Sequence, residues 1–432
     1  MKDGIIMKRF TKYAEYLLFF AFSIMLLFLT KKLTILISLP MIVFIYYVST
    51  KIPKKYFPYL LFGLALGIRL FTIYFFDIKI VDDFKVMLEA SKSLLQGDLS
   101  FLKNLYFQRF SYQLGHVLYQ AILLKINHHT FFLQMINSIV NSFSIVFIYL
   151  IGKKIYSEKT ARFISFSYLF YLYPLYLNGI LSNQHIPTLI SLITIYLFIS
   201  KEKNIKQALL IGTLLAISNV LRTESIILIM AFLFYELFYQ KDWKYSLSLV
   251  GTYFLLGIVF STVLYASPIH MKFKNNAPLW KFYCGLSYDY NGLYSEEDQE
   301  VFFSSDQSKE LLLERIKEKP YRYPVLFLKK EVILWTQTNY DIQMTPHVPK
   351  LLLDYNQGFV NSIIVLFVIS LYPMKKKRKD SILIIKMIIA LYFIIYFFIE
   401  VSPRYAFNLH FLVFLLLGIG VERIQKRLLN FE

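Results

Sequence analysis

The sequence predicts an all-α polytopic integral membrane protein: a bundle of about twelve transmembrane helices with an amphipathic first outer loop and a second, large outer loop. Three observations carry this. Of 432 residues, 57% are hydrophobic and 18% aromatic, and the mean hydropathy is +0.51. Apolar runs approaching the ~20 residues needed to cross a hydrocarbon core recur along most of the chain. The formal charge of +19 gathers in the short segments between those runs. A soluble chain with that charge would suggest nucleic acid, because clustered Lys and Arg match phosphate. The number of apolar runs excludes that reading, and 34 Tyr and 42 Phe exclude a disordered basic tail.

In chain order the candidate spans are 14–30, 33–49, 57–76, 132–152, 160–180, 186–200, 206–221, 225–240, 246–266, 358–373, 381–400 and 405–422. Polar stretches 77–131 and 267–357 interrupt them. Within the first, Leu114 to Ile126 is apolar but too short to cross, and is expected to lie in the interface. The cytoplasmic segments then become the N-terminus, 50–56, 153–159, 201–206, 241–245, 374–380 and the C-terminus. They hold Lys51, Lys54 and Lys55; Lys153, Lys154 and Lys159; Lys201, Lys203 and Lys206; Lys241 and Lys244; and the run Lys375 to Lys379. Basic residues on the inner side set orientation. The short outer connections 181–185, 222–224 and 401–404 carry only Arg222 and Arg404 as strong bases, and Lys31-Lys32 is the one misfit. Both termini are therefore expected in the cytoplasm.

The outer stretch 267–357 has 11 Lys and Arg against 12 Asp and Glu, and 77–131 has 6 against 5. The positive charge thus belongs to the inner connections, facing anionic lipid. Lys8, Arg9 and Lys12 precede the first apolar run, and no small-residue cleavage site follows, so a retained helix is expected. Four regions are expected: a two-helix addition at 1–56, a transmembrane core at 57–266 containing the first outer loop, an outer lobe at 267–357, and C-terminal helices at 358–432. The single Cys284 excludes an internal disulfide and any multi-cysteine metal site. The seven His residues show neither HxxxH nor HExxH spacing. No metal site and no cofactor are expected, although an acid pair leaves dependence on a divalent metal open.

Chemistry-bearing residues sit in the outer segments. Arg69 is followed by Val81-Asp82-Asp83-Phe84, Leu88-Glu89-Ala90 and Leu95-Gln96-Gly97-Asp98. A carboxylate at the membrane surface can act as a general base, helped by a low dielectric that raises its pKa. The same acids also suit a plain N-cap for a helix over 84–95. Arg109, in Tyr106-Phe107-Gln108-Arg109, suits phosphate through bidentate hydrogen bonds, or snorkelling toward headgroups. The connection Leu181-Ser182-Asn183-Gln184-His185 offers an imidazole that can exchange a proton near pH 7, or is simply a wet turn. In Arg222-Thr223-Glu224, the arginine either neutralises a phosphate or pairs with Glu224. Glu400-Val401-Ser402-Pro403-Arg404-Tyr405 precedes the last helix.

This ordered set resembles the GT-C glycosyltransferases, in particular the lipid-linked-sugar-dependent branch of protein O-mannosyltransferases, lipid A aminoarabinose transferases and their Gram-positive relatives. The likeness spreads over roughly 57–425. It implies that Asp82 is the catalytic base and Asp83 its acidic neighbour. Tyr106-Phe107-Gln108-Arg109 is similar to the branch's Tyr-Phe-x-Lys/Arg element, which implies Tyr106 and Arg109 at the lipid phosphate. Gln184 and His185 stand where relatives carry a sugar- or acceptor-binding acid. Arg222 occupies another outward helix end, and Arg404-Tyr405 resembles the terminal Arg-Tyr element. The chain departs from the pattern after Arg109 and after Tyr405, where relatives place Pro. Gly285 to Gly292 and Lys330 to Trp335 also look like the bacterial members, although a turn and an interfacial aromatic belt at Trp335 are the plainer readings.

The resemblance implies transfer of a monosaccharide, with inversion, from a polyprenyl-phosphate donor to an envelope glycan, lipid or protein. The reaction would take place at the outer face of a bacterial plasma membrane. The partners would be lipid-linked, and no nucleic acid is implied. Two other classes stay open. A transporter or flippase of lipid-linked saccharides should place ionisable groups near mid-membrane, and Arg69, Glu236 and Lys386 lie within predicted spans, toward their ends. A polysaccharide polymerase or ligase also carries large outer loops.

Overall fold

A computed structural model describes the chain except residues 1, 30, 77, 201–202, 338–347, 373–379 and 430–432, and except the side chains of 2–12, 380 and 428–429. Lys201, the basic run 375–379, His347 and the side chains of Lys8, Arg9 and Lys12 thus lie outside the described residues. Among those described, every regular element is helical. Seven helices are long and apolar enough to cross a membrane: Lys32–Lys51, Phe57–Phe75, Thr130–Ile155, Trp243–Ala266, Lys350–Leu371, Ser381–Phe398 and Pro403–Arg427.

That is fewer than the sequence predicts, for two reasons. Three expected spans form shorter apolar helices, His185–Phe198, Ile205–Leu221 and Ile226–Gln240, and of the first helix, Lys2–Met25, the side chains are described only from Tyr13. At 1.5 Å per residue, a 14-residue helix such as His185–Phe198 covers only about 21 Å of a ~30 Å core. The run 160–180 does not form a single helix at all. Glu158–Leu169, capped by the Ser157 hydroxyl on the Thr160 amide, ends before a break, and Tyr173–Gly179 starts anew. Pro174 sits in the first turn of the second piece, where its missing N–H costs nothing.

The last helix, Pro403–Arg427, is the hub: 94% of its apolar window is buried within the protein, against 17% for Trp243–Ala266. The N-terminal pair shares this core. Phe22 packs edge-on to Trp335 and Phe367, with ring centroids 5.2 and 4.9 Å away, and the Ser38 and Ser362 hydroxyls meet at 2.9 Å. Trp335 is consequently no interfacial belt residue. It is fully buried, and its indole N–H donates to Glu331 at 2.6 Å. Buried Trp needs such an acceptor.

Leu114–Ile126 forms the expected short helix and packs on Asp82–Leu95. The Ser91 hydroxyl lies 3.1 Å from both the Val117 carbonyl and the Gln120 side-chain oxygen. Gly115 is required there, because a Cβ would sit 1.8 Å from the Val220 carbonyl oxygen. Charges within the bundle are mostly paired. Lys203 meets Glu236, and Lys386 lies 3.3 Å from Glu15. Arg69 is fully buried in mid-helix and donates to the Ala65 carbonyl at 3.1 Å, with its Nε and Nη2 finding no protein acceptor. Lys31, the misfit of the charge pattern, lies 3.3 Å from Asp354.

Candidate active site

Backbone contacts draw the polar connections together. The Glu400 amide donates to the Lys281 carbonyl at 2.8 Å, and the Val401 amide to the Gly292 carbonyl at 2.9 Å. Gly285 permits this approach, since a Cβ there would lie 2.2 Å from the Ile399 carbonyl carbon. The first polar stretch is stitched to the second at Ser111, whose hydroxyl is 2.6 Å from the Lys272 carbonyl, and at Asn276, whose amide donates to Arg109 at 2.9 Å. Three separate segments of the sequence, 109–111, 272–292 and 399–401, therefore meet at one place.

Tyr405 organises that place. The guanidinium of Arg222, the ammonium of Lys281 and the guanidinium of Arg404 lie 5.5, 5.3 and 5.8 Å from its ring centroid. Cations favour the electron-rich face of such a ring. The Tyr405 hydroxyl accepts from Lys281 at 3.0 Å and donates to Glu400 at 3.0 Å, while Lys281 also donates to the other Glu400 oxygen at 2.5 Å. Arg404 faces Asp83 at 3.7 Å, and its guanidinium lies 5.3 Å from the Phe84 ring centroid. Arg222 donates to Glu224 at 2.6 Å and to the Asn183 side chain at 2.8 Å. Asn183 in turn donates to Gln113 at 3.2 Å, and Glu224 accepts from Asn408. Three cations and three carboxylates thus interleave.

The acid pair divides. The helix Asp82–Leu95 begins at Asp82 itself, and Val81 occupies the capping position without a side-chain hydrogen bond, so neither carboxylate is the cap. Both lie in the first turn, where the helix dipole favours negative charge. Asp83 turns toward Arg404. Asp82 is exposed and holds a left-handed backbone with φ 51°, an unfavourable conformation for a non-glycine residue. Among the described residues no hydrogen bond or ion pair engages the Asp82 carboxylate.

Tyr106 enters the cluster from the short helix Leu105–Arg109, and its buried hydroxyl has no protein partner. Burial, then the Asp83 charge, push that phenol well above its ordinary range. Arg109, one turn on, is engaged elsewhere: its guanidinium lies 3.5 Å over the Phe303 ring and lines a groove. Gln184 is fully buried and donates to the Arg404 carbonyl at 2.8 Å, bracing the backbone rather than offering its amide nitrogen to a ligand. His185 is buried too. Its Nδ1 accepts from Asn141 at 2.9 Å and its Nε2 donates to the Leu177 carbonyl at 2.9 Å, which leaves no ring nitrogen for a substrate. Arg222 pairs with Glu224, as the two-residue spacing allowed.

The structure adds Lys281, Glu400, Tyr112, Asn183 and Glu224 to this neighbourhood. For Lys281, burial alone would lower the pKa, but Glu400, with Tyr405 and Tyr112, outweighs it and raises the ammonium well above its ordinary value. Lys281 therefore stays charged. Among the described residues no three His, Cys, Asp or Glu side chains lie close enough to hold a metal ion. No known family model matches the chain, and no curated protein is significantly similar to it.

Proposed function

We propose that this multi-pass membrane protein is a glycosyltransferase that moves one monosaccharide from a polyprenyl-phosphate donor to an envelope acceptor at the outer face of a bacterial plasma membrane. The observation that carries the reading is the gathering of Arg222, Lys281 and Arg404 round Tyr405, beside the acid pair Asp82-Asp83. Cations fixed in a protein-lined site suit a departing phosphate, and preorganised charge is usually the largest catalytic contribution. Lipid-linked substrates fit a site bordered by apolar helices.

In this reading the acceptor hydroxyl oxygen attacks the anomeric carbon and its proton passes to Asp82. The bond from that carbon to the phosphate oxygen breaks, and its electron pair leaves with the polyprenyl phosphate. Asp82 suits the base because its carboxylate is uncommitted, whereas Asp83 is directed at Arg404. Asp83 would hold that cation until the donor phosphate competes for it. Arg404, Arg222 and Lys281 would take up the developing charge, and the Tyr106 hydroxyl, buried and unpartnered, is available to donate to a phosphate oxygen. Arg109, over Phe303, does not join them in this arrangement.

Paired charges at Lys203–Glu236 and Glu15–Lys386 weigh against the transporter alternative, which needs ionisable groups free to respond to a substrate, whereas buried Arg69, with two nitrogens lacking a protein acceptor, weighs for it. The test is to incubate purified protein with a panel of polyprenyl-phosphate sugars. At least one should release polyprenyl phosphate and leave a single sugar on an acceptor. Counterflow of a lipid-linked saccharide without release would favour transport, and long products would favour a polymerase.

A further inference from the structure

Beside the charged cluster lies an open groove of about 470 Å³, lined by Arg109, Tyr294, Glu296, Gln299, Glu300 and Phe303, with Ser304 at its edge. This volume falls in the range typical of small-ligand pockets, about 300–1,000 Å³. Its long wall is one face of the helix Glu296–Ser304, where residues three and four apart lie side by side. Their neighbours on the helix are already committed: Glu297 accepts from Tyr290, and Asp298 pairs with Arg315 at 2.6 Å. Glu296 and Glu300 have no such partner among the described residues and face the groove. Tyr294 donates to Gln299 at 3.2 Å across its mouth.

Two observations tie the groove to the charged cluster. Tyr106 and Arg109 sit one turn apart on the same short helix, the first in the cluster and the second in the groove. Tyr294, which lines the groove, is pushed above its ordinary range by burial and then by the charges of Glu296 and Asp83, so the acid pair is felt there. A ligand in the groove therefore lies within the electrostatic reach of the acid pair.

We infer that this groove is the acceptor site, and that it takes a phosphate-free saccharide. The inference rests on the glycosyl-transfer reading and names the substrate class that reading leaves open. Unpartnered carboxylates accept hydrogen bonds from hydroxyl and amino groups, while Gln299, Arg109 and Ser304 supply donors, the mixture that a polyhydroxylated chain requires. Two carboxylates against one guanidinium leave the groove net negative, which disfavours a polyanionic acceptor. Being open at one side, it suits the end of a chain rather than an enclosed small molecule.

The experiment uses the full chain in lipid nanodiscs and saturation-transfer NMR with three probes: maltotriose, chitobiose and a glycerol phosphate trimer. At least one saccharide should bind, the double variant Glu296→Gln, Glu300→Gln should weaken it at least tenfold, and the glycerol phosphate trimer should bind more weakly than that saccharide. The variant's thermal midpoint and its elution as a single species should be unchanged, which separates lost recognition from lost folding. No saccharide binding, binding indifferent to the double variant, or preference for glycerol phosphate would overturn the assignment. Absence of donor turnover in the unaltered protein would instead remove the transfer reading, with the groove still judged by the binding result.

Discussion

Arg404 and Asp83, one in the first turn of the last helix and the other in the first turn of an early one, meet at 3.7 Å. Their side chains are 23% and 46% exposed. An ion pair that wet contributes little to folding, about 0–1 kcal/mol, and is weakened by salt. The contact matters because it joins the two ends of the candidate site. Asp83→Asn should therefore lower the thermal midpoint by no more than a few degrees while reducing transfer by at least about a hundredfold, roughly 2.7 kcal/mol of barrier. Equal losses of stability and activity would make the pair structural.

Lys281 and Glu400 behave differently, being more enclosed and joined through Tyr405. Glu400→Gln should cost about 1–3 kcal/mol, less than the 3–5 of a fully buried pair because Lys281 is 30% exposed. The folded-state pKa of Lys281 is raised above its ordinary value of 10.5. Its contribution to stability is thus fully present below about pH 10.5 and is lost only as pH rises through the higher folded value. Thermal unfolding of the protein and of Lys281→Met should differ by a constant margin from pH 7 to 10, narrowing above that. A margin that shrinks near neutrality would contradict the pairing.

Gly285 offers a test of the clasp between the large polar stretch and the last connection. Gly285→Ala would force the Ile399–Glu400 backbone away from Lys281, because the added methyl meets main-chain atoms at 2.2–2.6 Å. A loss of both stability and donor turnover is expected. Gly63→Ala, whose methyl would find nothing within 4 Å, should be close to neutral. Similar behaviour of the two variants would remove the close approach as a cause.

Cys284 is fully buried, and burial pushes its thiol well above the usual range, with Glu400 adding to the effect. Maleimide should label the folded protein at least a hundredfold more slowly than the protein in denaturant. Rapid labelling of the folded state would show that the site's floor is open to water. The same low background permits a topology test. Glu310→Cys, in the large polar stretch, should react with an impermeant maleimide added outside intact cells, whereas Lys55→Cys should react only after permeabilisation. Labelling of both from one side would overturn the charge-based orientation.

Much of the fold was legible in the sequence, because a hydrocarbon core demands long apolar runs and water-facing segments interrupt them. The break at Phe170 to Leu172 was hidden by uniform apolarity and is marked only by Pro174. The pairing of Lys31 with Asp354 was invisible, since it depends on which helices pack together. At the site, Arg222 with Glu224 and the segment Glu400 to Tyr405 could be read locally. Lys281 could not: it is one lysine in the aromatic stretch Trp280 to Cys284, recruited by a backbone bond to Glu400. His185 looked available because it ends a short connection, yet Asn141 on a neighbouring helix claims it. Arg109 and Tyr106 looked like one element, and Phe303, far along the sequence, takes the Arg109 guanidinium.

The most direct test of the central claim is a single-turnover measurement on Asp82→Asn in nanodiscs, with whichever polyprenyl-phosphate sugar the unaltered protein uses. Donor binding should stay within about threefold, and release of polyprenyl phosphate to an acceptor should fall by at least a thousandfold, roughly 4 kcal/mol. An Asp82→Asn protein that transfers sugar at the unaltered rate would contradict the account.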